Sequence, residues 1–215
     1  MRSLLLADEF FLLGHDENTG KTVVRESFLE AGLAGAVLAE LALAGRTDTK
    51  AGRIVVVDRH AVSDDLTDTL LADLLRERES HAARVWVDHL REGMRGRVAG
   101  RLVAAGVVTP VVGRGLTLRR PTLRYQATDP IVGSGPRVRL RYVMKSGRAP
   151  DLATATLVTL VRAVNLDDLL VLDLTRQQIR DWAAAALRLL PPALLDVVRA
   201  VAAVVETLIY TGDRR

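Results

Sequence analysis

Histidine and cysteine limit the catalytic chemistry that this sequence can support. The chain of 215 residues has no cysteine, which excludes disulfides, thiolate nucleophiles and cysteine-ligated zinc. Its histidines are His15, His60, His81 and His89. The last two are eight residues apart, whereas a helical metal pair needs a spacing of about three or four residues. No Ser/His/Asp arrangement stands out, so the sequence predicts a protein that is not an enzyme and holds no metal or cofactor.

One string is similar to a phosphate-binding loop. Residues 14–22 read Gly-His-Asp-Glu-Asn-Thr-Gly-Lys-Thr, with five residues between the glycines, whereas the loop needs about four. The extra residue misplaces the backbone N–H groups, and Asp16 and Glu17 would repel phosphate. The string therefore predicts a turn between two elements.

Positive charge is concentrated in the middle of the chain. The net charge is +4, but residues 84–148 hold 14 basic and three acidic residues, a balance of +11 that leaves −7 for the remainder. Nearly all the basic residues are arginine. A GC-rich genome and a functional need for guanidinium explain that bias equally well. The asymmetry itself favours an anionic partner.

Several interpretations of the basic segment stay open. Arg91 and Arg95 are one helical turn apart, and guanidinium groups bind phosphate in a bidentate manner. A membrane surface needs only such charge, at about 1 kcal/mol per basic residue. Nucleic-acid binding usually adds aromatics or a motif, and the segment has only Trp86, Tyr125 and Tyr142. The alternative without a partner is pairing of the arginines with the acids of the remainder.

The elements predict a mostly α fold. Aromatic residues make up 4% of the chain, so the core must be built from leucine, valine and alanine, which favours packed helices. We expect a single globular helical domain over residues 1–215 with short strands and a protruding β-hairpin at about 107–127. The predicted helices span residues 3–13, 26–44, 64–79, 81–105, 137–144, 151–164, 175–190 and 192–210. The predicted strands span residues 53–58, 107–112 and 116–121, and residues 122–127 are predicted to be extended.

Three boundaries carry specific expectations. Ser63 is the predicted N-cap of the helix over 64–79, whose acidic first turn suits the helix dipole. Residues 81–105 are predicted as one helix that ends at Gly106. The alternating residues of 137–144 fit a strand or a basic helix face, and we favour a helix that runs toward a stop at Gly147.

No segment is typical of a signal peptide or a membrane span. Two acids interrupt the first apolar run, and no stretch reaches the roughly 20 uncharged apolar residues that a spanning helix needs. We therefore expect a cytoplasmic protein that is at most peripheral on the inner face of the cell membrane.

The order of several short motifs resembles the Golgi phosphoprotein 3 family. Leu4-Leu-Leu-Ala-Asp-Glu-Phe-Phe-Leu-Leu13 with the following turn is similar to the opening of the family domain. Gly32-Leu-Ala-Gly-Ala-Val-Leu-Ala-Glu-Leu-Ala-Leu-Ala-Gly-Arg46 is similar to its next helix. Residues 64–71, Trp86 and residues 101–108 follow in the same order. The resemblance covers essentially the whole chain and indicates a bacterial relative of the core domain.

The resemblance implies a helical globule with a protruding hairpin that binds membranes. Eukaryotic members bind phosphatidylinositol-4-phosphate and the cytoplasmic tails of glycosyltransferases, and their hairpin can mediate oligomers. Their lipid pocket uses one tryptophan and three arginines, which match Arg25, Ala34, Glu92 and Arg95 here. Only Arg95 keeps the residue of the family. The predicted ligands of an anionic head group are Arg95, Arg25, Arg91 and Arg97.

The sequence thus leads to one principal function and two alternatives. We expect a non-enzymatic peripheral adaptor that binds an anionic phospholipid surface through its arginines. The first alternative is a scaffold that binds the tail of a membrane protein without lipid, and nucleic-acid binding is the weaker one. A homo-oligomer is expected through the apolar residues of the hairpin, which are Val111, Val112, Leu116 and Leu118.

Overall fold

The computed structural model of the protein describes residues 4–113, 122–170 and 174–212. Within these ranges the fold is mostly α, as predicted, with nine α-helices and two antiparallel strand pairs. The helices are α1 (Leu6–Leu13), α2 (Glu26–Leu43), α3 (Asp65–Arg76), α4 (Ala83–Leu90), α5 (Met94–Ala104), α6 (Pro130–Ser146), α7 (Leu152–Ala163), α8 (Arg176–Leu189) and α9 (Pro192–Gly212). The strands are β1 (Thr47–Lys50), β2 (Arg53–Val56), β3 (Val108–Gly113) and β4 (Thr122–Ala127). A 3-10 turn covers Asp167–Leu170.

Helix α2 is the central element. Its sequence is apolar on all sides, which is typical of a helix surrounded by others. It packs on α1, α5, α7 and α9. Gly32 and Gly35 permit this close packing, because a Cβ atom at either position would collide with Phe10 or Val201. The motif that resembles the family therefore forms the middle of the core.

The first strand pair contains a strand that the sequence did not predict. Strand β1 pairs with β2, with Thr47 opposite Val56 and Lys50 opposite Arg53. The two turn residues, Ala51 and Gly52, both have positive φ, 51° and 72°. This is the signature of a tight hairpin turn, which asparagine or aspartate before glycine usually marks. Because alanine occupies the first turn position, the sequence does not predict this turn.

The predicted cap of α3 is wrong by one residue. Asp64, not Ser63, is the N-cap, and its side chain accepts a hydrogen bond from the backbone N–H of Thr67 at 3.1 Å. Ser63 lies outside the helix with a φ of 64°. Either side chain can cap a helix. Asp64 is the cap because it also pairs with an arginine of α5.

The predicted single helix over 81–105 is also wrong. The chain forms α4 and then α5, with a break at residues 91–93. Gly93 has a φ of 72°, which only glycine adopts at low cost, and it is the N-cap residue of α5. The break turns α5 out of line with α4, so helical spacing across it no longer applies.

The hairpin at 107–127 is confirmed, with one change. Strand β3 pairs with β4, with Val108 opposite Ala127 and Val112 opposite Leu123. The pairing strand is therefore the segment 122–127, which was predicted only to be extended. The predicted strand over 116–121 lies outside the described residues.

Helix α6 confirms the helical interpretation of 137–144 and is longer than predicted. It begins at Pro130 after the capping side chain of Asp129, which accepts from the N–H of Ile131 at 2.8 Å. It ends at Gly147, as predicted, where φ is 65°. Pro136 lies inside the helix and discouraged the prediction of the first two turns.

Candidate anion-binding surface

Arg95 is the predicted head-group ligand with the most contacts inside the protein. Its side chain extends from the first turn of α5 and is 14% exposed. Its Nη1 pairs with Glu26 Oε1 at 2.8 Å, and its Nη2 donates to the carbonyl oxygen of Leu123 at 3.0 Å. The guanidinium also lies 5.2 Å from the ring centroid of Tyr125, a cation–π distance. Arg95 therefore connects α5 to both α2 and β4.

Buried His15 fixes the orientation of Arg95. Its Nδ1 lies 2.7 Å from the carbonyl oxygen of Phe11, which can only accept, so Nδ1 carries the hydrogen. Its Nε2 is then free to accept from the Nε–H of Arg95 at 3.3 Å. Burial lowers the pKa of His15 to about 4, opposed by the bond to Phe11 and assisted by the charge of Arg95. His15 is therefore neutral at pH 7.

The loop over residues 14–22 is a turn, as predicted, that packs against the hairpin. Asp16 Oδ1 accepts from the N–H of Thr19 at 2.8 Å. Gly20 has a φ of 63°, and a Cβ atom there would lie 2.7 Å from the carbonyl oxygen of Tyr125. The N–H of Tyr125 donates to the Gly20 carbonyl at 3.3 Å. These contacts hold the loop beside Arg95.

Arg25 is the N-cap residue of α2 and Arg91 lies in the turn before α5, so both adjoin the helices that the Glu26–Arg95 pair connects. Exposed Arg25 precedes Glu26, the partner of Arg95, and its guanidinium lies 5.4 Å from the ring centroid of Phe28. Arg91 lies in the turn before α5 and pairs with Asp88 at 2.9 Å. Its side chain is 30% exposed.

Arg97 takes a different role from the predicted one within the described structure. Its Nη2 donates to the carbonyl oxygens of Leu90 at 2.8 Å and Glu92 at 3.2 Å. Cations commonly bind the free carbonyls at a helix C-terminus in this way. Arg97 thus secures the break between α4 and α5.

Two cations that sequence analysis did not select complete the surface. Lys21 is exposed in the loop next to Gly20, and half-buried Arg124 follows Leu123 in β4. Neither forms an ion pair with another described residue. Their chain neighbours meet in the fold, because Gly20 contacts Tyr125 and Leu123 contacts Arg95, so no sequence spacing could have revealed them. The term basic surface is used below for Lys21, Arg25, Arg91, Arg95 and Arg124.

Two glutamates of α2 lie within the basic surface and were also missed. Glu26 is the partner of Arg95 described above. Glu30 Oε1 accepts from the backbone N–H of Gly93, at the start of α5, at 3.0 Å. Burial raises the pKa of Glu30, while the bond to Gly93 and the charges of Arg91 and Arg95 oppose that shift. The four-residue spacing of the glutamates on α2 was the only signal in the sequence.

A second arginine of α5 lies in the interior of the protein. The side chain of Arg101 is 11% exposed and contacts three buried carboxylates. Its Nε pairs with Asp8 at 2.9 Å, and its Nη1 pairs with Asp64 at 2.9 Å and Glu40 at 3.2 Å. Burial raises the pKa of both Asp8 and Glu40, and Arg101 opposes the shift. The term Arg101 cluster is used below for these four residues.

Much of the positive charge in the middle of the chain is therefore paired internally. Arg139 pairs with Glu9 and donates to Thr154 Oγ1 at 2.6 Å, and Arg141 donates to the carbonyl oxygen of Leu169 at 3.1 Å. Arg95, Arg101 and Arg139 pair with acids that precede the basic segment. The two charge groups therefore neutralise each other in part, as the alternative without a partner predicts, and other cations of the segment remain exposed.

The exposed valines of the hairpin point in opposite directions. Val111 is 39% exposed and lies opposite Arg124, while Val112 is 65% exposed and lies opposite Leu123. Neighbouring residues of a strand face opposite sides of the sheet. One packing partner on one face therefore contacts Val112 and Leu123 but not Val111. The other predicted contacts, Leu116 and Leu118, lie outside the described residues.

The described residues also form a groove at the other end of α5. It has a volume of about 680 Å³. Its walls come from α1, the end of α5, the base of the hairpin and α6, and they are mostly apolar. Asp8, Glu9 and Asp129 provide its acidic groups, and Arg101 and Arg139 its basic ones. No sequence pattern indicates this groove, because its walls come from four separate segments.

The family profile described as Golgi phosphoprotein 3 (GPP34) matches residues 6–201 of the chain. That range spans α1 to the middle of α9. The chain belongs to the Golgi phosphoprotein 3 family. A search of curated proteins finds no match. The family is one of non-enzymatic adaptors. No helix in the described ranges combines the length and apolar character that crossing a membrane requires.

The positions that match the lipid pocket of the Golgi phosphoprotein 3 family differ in accessibility here. Ala34 is completely buried in α2, and Glu92 is exposed in the turn before α5. Arg95 is present but engaged by Glu26 and His15. An anion that approached this region would therefore meet the exposed cations first.

Proposed function

We propose that the protein is a peripheral adaptor that binds an anionic membrane surface, such as the inner face of a cell membrane, through the basic surface. The observation that carries this proposal is the mixture of cations and exposed aliphatic residues at one end of the molecule. Val23 is 48% exposed and lies two residues from Arg25, and Val111 is 39% exposed and pairs with Arg124 on one face of the hairpin. Cations attract anionic lipid, and aliphatic side chains enter the head-group region.

Vesicle sedimentation tests the proposal. We expect the wild type to sediment with phosphatidylglycerol-containing vesicles but not with phosphatidylcholine alone, and added salt should weaken binding by screening. Arg25→Glu combined with Arg124→Glu should abolish binding. These residues are better choices than Arg95, whose loss also disturbs the fold.

The matched control is Arg188→Glu combined with Arg199→Glu, two exposed arginines of α8 and α9. It changes the net charge equally and should retain binding. Failure of the wild type to bind, or equal loss in both double variants, contradicts the proposal. Equal binding to duplex DNA would favour the nucleic-acid alternative.

The groove favours a second candidate function, binding of a partner's extended tail. Its apolar walls suit aliphatic side chains, and its acidic groups outnumber its basic ones by one, which suits a cationic tail. The probe is a labelled peptide of alternating leucine and arginine, measured by fluorescence anisotropy. A Cβ atom at Gly135, which lines the groove, meets nothing within 4 Å, so Gly135→Leu can fill it. Gly100→Leu is the control, since Gly100 is equally open but lies outside the groove.

We further propose that the hairpin mediates a homo-oligomer through the face that carries Val112 and Leu123. Val112→Asp should reduce the mass measured by light scattering, because a buried carboxylate without a partner is costly. Val111→Asp places the same charge on the opposite face and should leave the mass unchanged. A monomeric wild type, or equal effects of the two variants, contradicts this proposal.

A further inference from the structure

We infer that Glu26 and Glu30 set the density of anionic lipid at which the basic surface binds a membrane. The inference rests on the proposed membrane function and concerns its regulation. Two carboxylates already neutralise cations that would otherwise contact lipid phosphate. The protein therefore carries internal competitors for its own ligand.

Glu26 is positioned to be displaced. Its carboxylate contacts Arg95 at 2.8 Å, yet its side chain is 58% exposed, whereas that of Arg95 is 14% exposed. The carboxylate of the pair lies at the surface, where ion pairs contribute little to stability. A lipid phosphate that pairs with the Arg95 guanidinium competes with the Glu26 carboxylate for it. Release of Glu26 into water is therefore part of binding.

Glu30 neutralises the same region from the next turn of α2. It accepts from the N–H of Gly93, so a negative charge lies at the start of α5, the positive end of that helix dipole. The charges of Arg91 and Arg95 both act on Glu30. Glu30 therefore weakens the attraction that Arg91 and Arg95 exert on an anion bound at the start of α5.

The consequence is a steep dependence on lipid density. A phosphodiester head group carries one negative charge, so replacing one carboxylate by one head group leaves the charge balance at Arg95 unchanged. The gain must come from several head groups acting on Lys21, Arg25 and Arg124 at once. We therefore expect weak binding to sparse anionic lipid and strong binding above a threshold.

The experiment measures sedimentation of the full chain with phosphatidylcholine vesicles that contain increasing fractions of phosphatidylglycerol. Glu26→Gln keeps the shape of the side chain, removes its charge and should reach half-maximal binding at about half the phosphatidylglycerol fraction that the wild type requires. Glu30→Gln should shift the midpoint in the same direction. The matched control is Glu92→Gln, which removes the same charge from the turn before α5. Glu92 is exposed, and its side chain forms no hydrogen bond or ion pair with another described residue.

Each outcome decides a separate question. A larger shift for Glu26→Gln than for Glu92→Gln supports the inference, whereas equal shifts show that only net charge matters and overturn it. An unchanged midpoint for Glu26→Gln also overturns it, provided that Arg25→Glu with Arg124→Glu still abolishes binding. If the wild type binds at no phosphatidylglycerol fraction, the proposed function fails and the inference fails with it. Thermal unfolding of each glutamine variant confirms that the fold is retained.

Discussion

Arg95 and Arg101 lie six residues apart in the same helix, yet the protein uses them differently. Both side chains are mostly buried, but Arg101 contacts carboxylates that are less than 10% exposed, while the carboxylate partner of Arg95 is 58% exposed. Arg101 contacts negatively charged carboxylates from α1, α2 and the N-cap of α3. Arg95 lies among a histidine, an aromatic ring and a backbone carbonyl. The comparison indicates that the burial of the partner carboxylates decides the role of each arginine. Arg101, whose partners are buried, stabilises the core, whereas Arg95, whose partner is exposed, can exchange that partner.

The largest effect should come from removing Arg101. Arg101→Met leaves the carboxylates of the Arg101 cluster buried without their cation, which should reduce the free energy of unfolding by about 3–5 kcal/mol. Urea denaturation measures this loss. The deficit should shrink as pH falls, because Asp8 and Glu40, whose pKa is already raised, then become neutral by protonation. A loss below that of Arg95→Met would overturn the comparison.

A control for this variant removes a carboxylate at the same time. Arg101→Met combined with Glu40→Gln should recover part of the lost stability, because the double variant buries one charge fewer. If the double variant is less stable than Arg101→Met, the cluster acts by packing and hydrogen bonding rather than by charge compensation.

The second effect is a dependence of stability on pH that comes from His15. Its pKa is about 4 in the folded protein and near 6.5 when unfolded, so the unfolded chain binds the proton more readily. The contribution of neutral His15 is complete above pH 6.5 and is lost as pH falls toward 4, by up to about 3 kcal/mol. His15→Gln cannot titrate and should remove this component. The difference in the free energy of unfolding between the wild type and His15→Gln, measured from pH 6.5 to pH 4, separates the contribution of His15 from that of the carboxylates.

Sequence analysis predicted most helices because the apolar residues that form the core are local and periodic. It predicted the wrong cap at Ser63 and a continuous helix through Gly93, because both depend on contacts with other elements. Asp64 is chosen by Arg101, and the break at Gly93 is stabilised by Glu30 and Arg97. The basic surface combines segments far apart in sequence. The sequence shows how many cations the chain has, but it does not show which of them are exposed and which are paired inside the protein.

The smallest effects should come from Arg95 and Arg97, the arginines of α5 outside the Arg101 cluster. Arg95→Met loses a surface ion pair, a cation–π contact and a bond to the Leu123 carbonyl, and should cost about 1–2 kcal/mol. Arg97→Met loses two hydrogen bonds to backbone carbonyls but no ion pair with another described residue, and it should cost about 0.5 kcal/mol or less. Urea denaturation of both variants beside Arg101→Met gives a series of three arginines in one helix. If the series follows the burial of the partner groups, burial rather than position in the helix decides what each arginine contributes. If Arg97→Met proves as costly as Arg101→Met, the break between α4 and α5 carries as much stability as the Arg101 cluster, and the distinction between interior and surface arginines does not hold.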